Sequence, residues 1–279
     1  MKALLLAAAA ALLAAQARPA DSQSPQVAQA LSYADLADLG AGAPVVAHLR
    51  IRDSDLLRPD EAANVPAGFR RFLVEAKVVA LIRGSGGIGG RVRYLVDLEN
   101  DSRGRPARIG RRAEVLVMAT RAANRPDDLR LVAADAQIPY GPEAAEMLRG
   151  IVREASGSDA PPRIVGIGRA FHVPGSLAGE SETQFFLQTA DDRPISLTVL
   201  RRPGEQPRWS VALSEIVDDS AAAPAPNTLL WYRLACTLPA RLPPDALSEA
   251  SPEESQAIQT DYRLVMEGLG ACGRTRVRR

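Results

Sequence analysis

Few residues of this chain have the types needed for chemistry. There are two histidines and two cysteines in 279 residues. His172 stands in Phe171-His172-Val173-Pro174-Gly175-Ser176, with Glu180 and Glu182 close behind. A histidine, a serine and a carboxylate are the set a nucleophilic hydrolase uses, once the base reaches the hydroxyl and a third group orients the base. His172, Ser176, Glu180 and Glu182 are therefore the catalytic candidates, although neither G-x-S-x-G nor S-x-x-K is present. The favoured alternative is a histidine that only caps or hydrogen-bonds the loop 174–182. Arg201, Arg202 and Trp209 lie further along the same half and are the candidate binding residues that could approach it.

Other chemistries find little support. His48 and His172 are far apart, no H-E-x-x-H occurs, and Asp53-Ser54-Asp55 lacks the remaining ligands of a calcium loop, so no metal is expected. Gly84-Ser85-Gly86-Gly87-Ile88-Gly89 spells G-x-G-x-x-G. A dinucleotide turn must open a helix, yet an alternating strand pattern follows, so the segment reads as a hairpin loop and no cofactor is expected. The acid pairs Asp127-Asp128, Asp191-Asp192, Asp218-Asp219 and Glu253-Glu254 have local reasons in turns and at a helix start. Aromatic residues make up 4% and the net charge is +1, which leaves neither stacking platforms nor a global field for nucleic acid.

The ends of the chain and its cysteines place it in a compartment. Lys2, the apolar run Ala3 to Ala15 and the small-x-small step Ala15-Gln16-Ala17 have the form of a cleaved secretory signal over residues 1–17. The run is shorter than the roughly 20 apolar residues of a membrane span, and no later segment is long and apolar enough, so no transmembrane segment is expected after signal removal. The chain is accordingly expected to be periplasmic or secreted. In that oxidising setting Cys236 and Cys272 are expected to pair. Arg274, Arg276, Arg278 and Arg279 crowd the end and suggest a solvated basic tail, able to touch an anionic envelope surface.

The elements that must position these groups follow from periodicity. Residues 18–43 read as a flexible segment holding a short helix at Tyr33 to Leu39, ended by Gly40 and Gly42. Strands are expected at Val45 to Ile51, Phe69 to Ile82, Arg91 to Leu98, Glu114 to Thr120 and Leu129 to Ala134. A helix follows Pro142, with Met147, Leu148, Ile151 and Val152 as its apolar stripe. Ser156-Gly157-Ser158 and Pro161-Pro162 mark a boundary. Further strands are expected at Ile164 to Val173, Thr183 to Thr189, Pro194 to Leu200, Trp209 to Val217 and Leu229 to Cys236. Both tryptophans, Trp209 and Trp231, fall in these strands and read as core. Ser251, Pro252 and Glu254 form a capping box that starts a last helix with Ile258, Tyr262, Val265 and Leu269 on one face.

Three pieces of residues 44–155 carry a resemblance: Val45 to Ile51 after a small-residue helix; Leu81-Ile82-Arg83-Gly84 leading to Val92-Arg93-Tyr94-Leu95-Val96; and Glu114-Val115-Leu116-Val117-Met118-Ala119 before a closing helix. Their layout resembles the netrin or metalloproteinase-inhibitor type of OB-fold module, which implies a small closed barrel. The N-terminal cysteine with which that family chelates a protease metal has no counterpart here. Tyr33-Ala34-Asp35-Leu36-Ala37 and Gly168-Arg169-Ala170-Phe171-His172-Val173-Pro174-Gly175-Ser176 make the whole chain similar to secreted proteins of sphingomonad-type alphaproteobacteria, a resemblance that implies export and no activity.

The expected fold is α+β and β-rich. An OB-like β-barrel with a closing helix occupies residues 44–157, a second, smaller antiparallel lobe with a C-terminal helix occupies 158–272, and 273–279 is the basic tail. The expected function is a non-enzymatic binding or scaffold protein of the bacterial cell envelope, its partner a protein or envelope component and not nucleic acid. The alternatives are an extracytoplasmic serine-type hydrolase using His172, and an inhibitor of a secreted or periplasmic protease.

Overall fold

A computed structural model describes residues 31–213 and 221–276; the expected signal peptide lies outside them. Alternation in the sequence becomes inside and outside in the barrel. β1 (Val45–Leu56) sends Val45, Ala47, Leu49 and Ile51 inward, where they meet Phe72, Val74 and Ala76 of β2 (Phe69–Arg83) and Val92, Tyr94 and Val96 of β3 (Arg91–Glu99). β4 (Glu114–Ala122) adds Val115, Val117 and Ala119, and β5 (Arg125–Leu131) adds Leu129. The strands run in the order β1-β2-β3-β5-β4, and β1 pairs antiparallel with β4 to close the barrel. Register shifts in the β1–β2 ladder at Val46/Ala47, His48/Leu49 and Ile51/Asp53 bend these long strands round the closure. The glycine-rich segment is the β2–β3 hairpin loop. Gly86 and Gly87 adopt positive φ there, and Arg121 donates to the carbonyls of Ser85 and Gly87.

Residues 45–49 of β1 and 115–119 of β4 are buried on both faces, which is why 115–119 is an unbroken apolar run. Their other face carries Val46, Leu116 and Met118 into a second core. The short β6 (Gln137–Pro139) pairs along β4. α1 (Tyr33–Gly40) and α2 (Pro142–Ser156) cover this side. The two helices cross so tightly that a Cβ on Gly40 would lie 2.5 Å from Leu148 Cδ1. Arg83, at the end of β2, ties them together by donating to the carbonyls of Gly40, Ala41, Ala43 and Val152 and to Ser156 Oγ.

The second sheet is antiparallel throughout, in the order β10-β9-β8-β7, from β7 (Ile164–Pro174), β8 (Ser181–Thr189), β9 (Ser196–Arg201) and β10 (Arg208–Ala212). Its inner face gives Ile164, Ile167, Ala170, Phe185, Leu187, Leu197, Val199 and Val211 to the second core. α3 (Leu229–Ala235) and α4 (Pro252–Leu269) complete that core. The capping box at α4 forms as expected, with Ser251 Oγ accepting from Glu254 N and the Glu254 carboxylate accepting from Ser251 N.

Two expectations are corrected. Leu229 to Cys236 is a helix and not a strand. Thr228 Oγ1 caps its N-terminus, accepting from Trp231 N at 3.3 Å, and the Leu, Ala and Arg residues of the run suit a helix. A short apolar run does not distinguish a buried helix from a buried strand. Trp231 is core as expected, but from α3, where its indole N–H donates to Leu269 O of α4 at 2.9 Å. Residues 273–276 are likewise not a free tail. Arg274 binds Asp38 through two nitrogens at 2.6 and 2.9 Å. Arg276 binds Asp135 through two nitrogens at 2.7 Å each. Thr275 donates to Asp35 from its backbone and its hydroxyl, and Arg276 from its backbone. The Cys236–Cys272 disulfide anchors this strap to the end of α3. Charges on the strap are neutralised by Asp38 of α1, whose side chain is buried, and by the partly exposed Asp135 of the β5–β6 connection.

Candidate functional site

β7 and β8 form one hairpin, and the expected site residues cluster at its tip. In the loop between the strands, Gly175 N donates to Glu180 O at 2.7 Å. The Glu180 carboxylate accepts from Ser176 N at 3.1 Å and Leu177 N at 3.3 Å. A Cβ on Gly175 would collide with the Glu180 side chain as it stands, so a larger residue there would have to displace Glu180. Glu180 therefore holds the loop in shape. Glu182 is also engaged, accepting from Gln184 Nε2 at 2.6 Å.

His172 has a different set of partners from those its neighbours in sequence suggest. Its Nδ1 lies 2.8 Å from Thr183 Oγ1, the residue opposite it in the β7–β8 register. The Thr183 hydroxyl donates to Asp261 Oδ2 at 2.5 Å. Asp261 Oδ1 accepts from Arg201 Nε at 2.8 Å and from its Nη2 at 2.5 Å. With Thr183 donating to the carboxylate, its oxygen is left to accept, so the imidazole carries its proton on Nδ1 and turns Nε2 outward. Asp261 is 1% exposed and Thr183 is fully buried. An ionised carboxylate at that depth needs a cation and further donors, and Arg201 and Thr183 supply them. Hydrogen bonds from the Ser251 backbone and hydroxyl hold the carboxyl of nearby Glu254 below the usual range.

Two hollows flank this network. One, about 460 Å³, is lined by His172, Glu180, Arg201, Glu253, Thr260 and Asp261. The other, about 480 Å³, lies on the outer face of the sheet and is lined by Phe171, Val173, Ser176, Glu182, Leu200 and Arg202 among others. His172 and Ser176 thus open on neighbouring hollows, and no hydrogen bond joins them. Arg201 borders both. Trp209 borders neither; its indole packs against Gly268 of α4.

No protein-family profile matches the chain, and no curated protein is recognisably similar to it. The site is accordingly read from its own chemistry. Its most unusual feature is apolar. Phe171 is 40% exposed, Val173 61%, Phe186 44% and Leu200 39%, all on the outward face of an antiparallel sheet that would ordinarily be polar there. Phe171 and Phe186 meet edge to face with centroids 5.9 Å apart. Leu177, in the hairpin loop, is 63% exposed.

Sequence reasoning missed Asp261 and Thr183. Asp261 did leave a signal. It falls on the stripe of Ile258, Tyr262, Val265 and Leu269, and a carboxylate on the apolar face of an amphipathic helix requires a buried partner. Among the described residues no group of three or more His, Cys, Asp or Glu could hold a metal ion. His48 is occupied elsewhere, bonded to Glu114 at 2.7 Å and stacked on Tyr140 at 3.9 Å. No helix among the described residues is long and apolar enough to cross a membrane.

Proposed function

We propose that this protein is a non-enzymatic binding module of the bacterial cell envelope, exported by its N-terminal signal, which docks a protein partner on the outer face of its second sheet. The observation that carries this reading is the exposure of Phe171, Val173, Phe186 and Leu200 on one sheet face, of which Phe171, Val173 and Leu200 line a concavity of about 480 Å³. Contiguous apolar surface of this kind marks interaction sites in soluble proteins. Ser176 and Arg202 border the face, and Glu182 stands between Val173 and Leu200 in the strand register. The buried Arg201–Asp261–Thr183 chain stiffens the hairpin from behind, so the face is presented in one shape. Export is supported by the leader's composition and by the Cys236–Cys272 bond, since such bonds persist in oxidising compartments.

Affinity capture from envelope extract with the full mature chain tests the proposal. A partner held by the wild type and lost with Phe171→Ser/Phe186→Ser, at unchanged melting temperature, supports it. Equal retention by both overturns it. Labelling by a serine-reactive phosphonate that disappears with His172→Ala would replace it with the hydrolase reading. A retained protease inhibited in the complex would narrow it to the inhibitor reading.

A further inference from the structure

A second and independent site is cut into the barrel. The ladder that joins β3 to β5 is only two residue pairs long, Arg93↔Asp128 and Tyr94↔Leu129. β3 runs on to Glu99 with β2 along one edge, and β5 runs on to Leu131 with β4 along its opposite edge. Between the two facing edges lies a groove of about 800 Å³, larger than either hollow near His172. Residues 95–97 of β3 form one wall and residues 129–134 the other. The free stretch of β3 from Leu95 to Glu99 spans about 16 Å at the rise of a strand.

The side chains state what the groove would accept. Leu95 is 46% exposed and Val132 39%, so part of the lining is apolar. Arg71, Arg93, Arg125 and Arg130 border it, against Asp97 and Asp128. Arg71 fully engages Asp97 through two bonds of 2.7 and 2.8 Å. Asp128 is shared between Arg93 at 2.8 Å and Arg125 at 3.5 Å. Arg130 is exposed and forms no ion pair among the described residues. The groove therefore has an excess of positive charge beside unpaired strand edges. Tyr94 is 2% exposed and its hydroxyl is spent on Gln137, so the groove offers no platform on which a nucleobase could stack.

We infer that the β3–β5 groove binds an extended acidic peptide that adds as a strand to the edge of β3. Main-chain hydrogen bonds would supply affinity. Alternate side chains would be read by Leu95 and Val132 on one side and by the arginines on the other.

The test is selection of a random dodecapeptide display library on the full mature chain. The wild type should enrich peptides of net negative charge with alternating β-branched residues. A synthetic copy of the most enriched peptide should bind about tenfold or more weakly to Arg93→Glu/Arg130→Glu, and weaken steeply with salt. N-methylation of alternate peptide amides, which leaves the charge intact, should abolish binding. In the wild type, bound peptide should slow amide exchange at residues 95–99. That last measurement needs no variant, so a misfolded double mutant leaves the test decisive. Enrichment of neutral or basic peptides, undiminished binding of the N-methylated copy, or unchanged exchange at 95–99 would each overturn the inference. Tighter binding of oligothymidylate at the same residues would do so as well.

Discussion

The barrel and the second sheet solve the same problem differently. Each buries one face of an antiparallel ladder, yet they treat the outward face in opposite ways. On β2 and β3 that face is covered by charge pairs: Arg71 binds Asp97, and Glu75 stands opposite Arg93, which binds Asp128. On β7, β8 and β9 it carries Phe171, Val173, Phe186 and Leu200. The second sheet instead keeps the carboxylate of Asp261, 1% exposed, behind the sheet, where it meets an Arg201 side chain that is 31% exposed. The inversion lies in the ions: the barrel's outward face carries its ion pairs beside exposed Val79, Leu81 and Leu95, whereas the second sheet seats Asp261 behind its exposed apolar residues.

The sharpest test of that inversion is removal of the hidden carboxylate. Asp261→Ala leaves Arg201 without its buried partner and Thr183 without its acceptor, and should destabilise the protein by about 3–5 kcal/mol in urea unfolding. The same change at Asp97, whose carboxylate is 17% exposed on the outside of the barrel, should cost less, on the order of 2 kcal/mol. Similar losses at both positions would remove the distinction.

Next in size is the cross-link. Cys236→Ser/Cys272→Ser should lower stability by about 2–4 kcal/mol. Hydrogen exchange should show the loosening in α3, α4 and the strap 273–276, with the barrel interior protected as before. Loss of protection in β1 to β4 to the same degree would mean that the regions do not differ in what holds them.

The strap itself gives a pH dependence. Burial would raise the carboxyl pKa of Asp35, but hydrogen bonds from the Thr275 hydroxyl and from the backbones of Arg276, Ser32 and Thr275 outweigh it and hold the value at about 2, below the ordinary 3.8. A depressed carboxylate stabilises the fold above its unfolded pKa, and that contribution is lost as pH falls through the folded one. Stability should therefore drop between pH 4 and pH 2 by an amount on the order of 2 kcal/mol from this group. Asp35→Asn should be less stable at neutral pH and flatter across that window. A wild-type and a variant profile of equal slope would contradict the assignment.

The smallest effect is expected at the exposed face. Phe186→Ser should change stability by about 0.5 kcal/mol or less, because the ring is not part of the core. Only partner capture should respond. A large loss of stability would show that the outer face belongs to the fold.

Much of this architecture was legible because it is written at short range. Val45, Ala47, Leu49 and Ile51 alternate against Val46 and His48, and the barrel interior receives the first set. Ser251, Pro252 and Glu254 announce the start of α4 within four residues. The same locality explains the failures. Leu229 to Cys236 has an apolar pattern that both a strand and a helix could bury. His172, Ser176, Glu180 and Glu182 are neighbours in the chain, but the loop's own backbone takes up Glu180, and strand register gives His172 to Thr183.

What the sequence determined by itself was the inward set of β1 and β3, the starts of α2 and α4 and the cysteine pair, because period, capping and composition act over a few residues. Which ions meet was decided by the tertiary structure alone. Arg201 reaches Asp261 across 60 positions, Arg276 reaches Asp135 across 141, and Arg274 reaches Asp38 across 236. A charge signals its sign to any distance in the chain but not its partner, and only folded geometry brings one acid within 3 Å of one arginine while water is excluded.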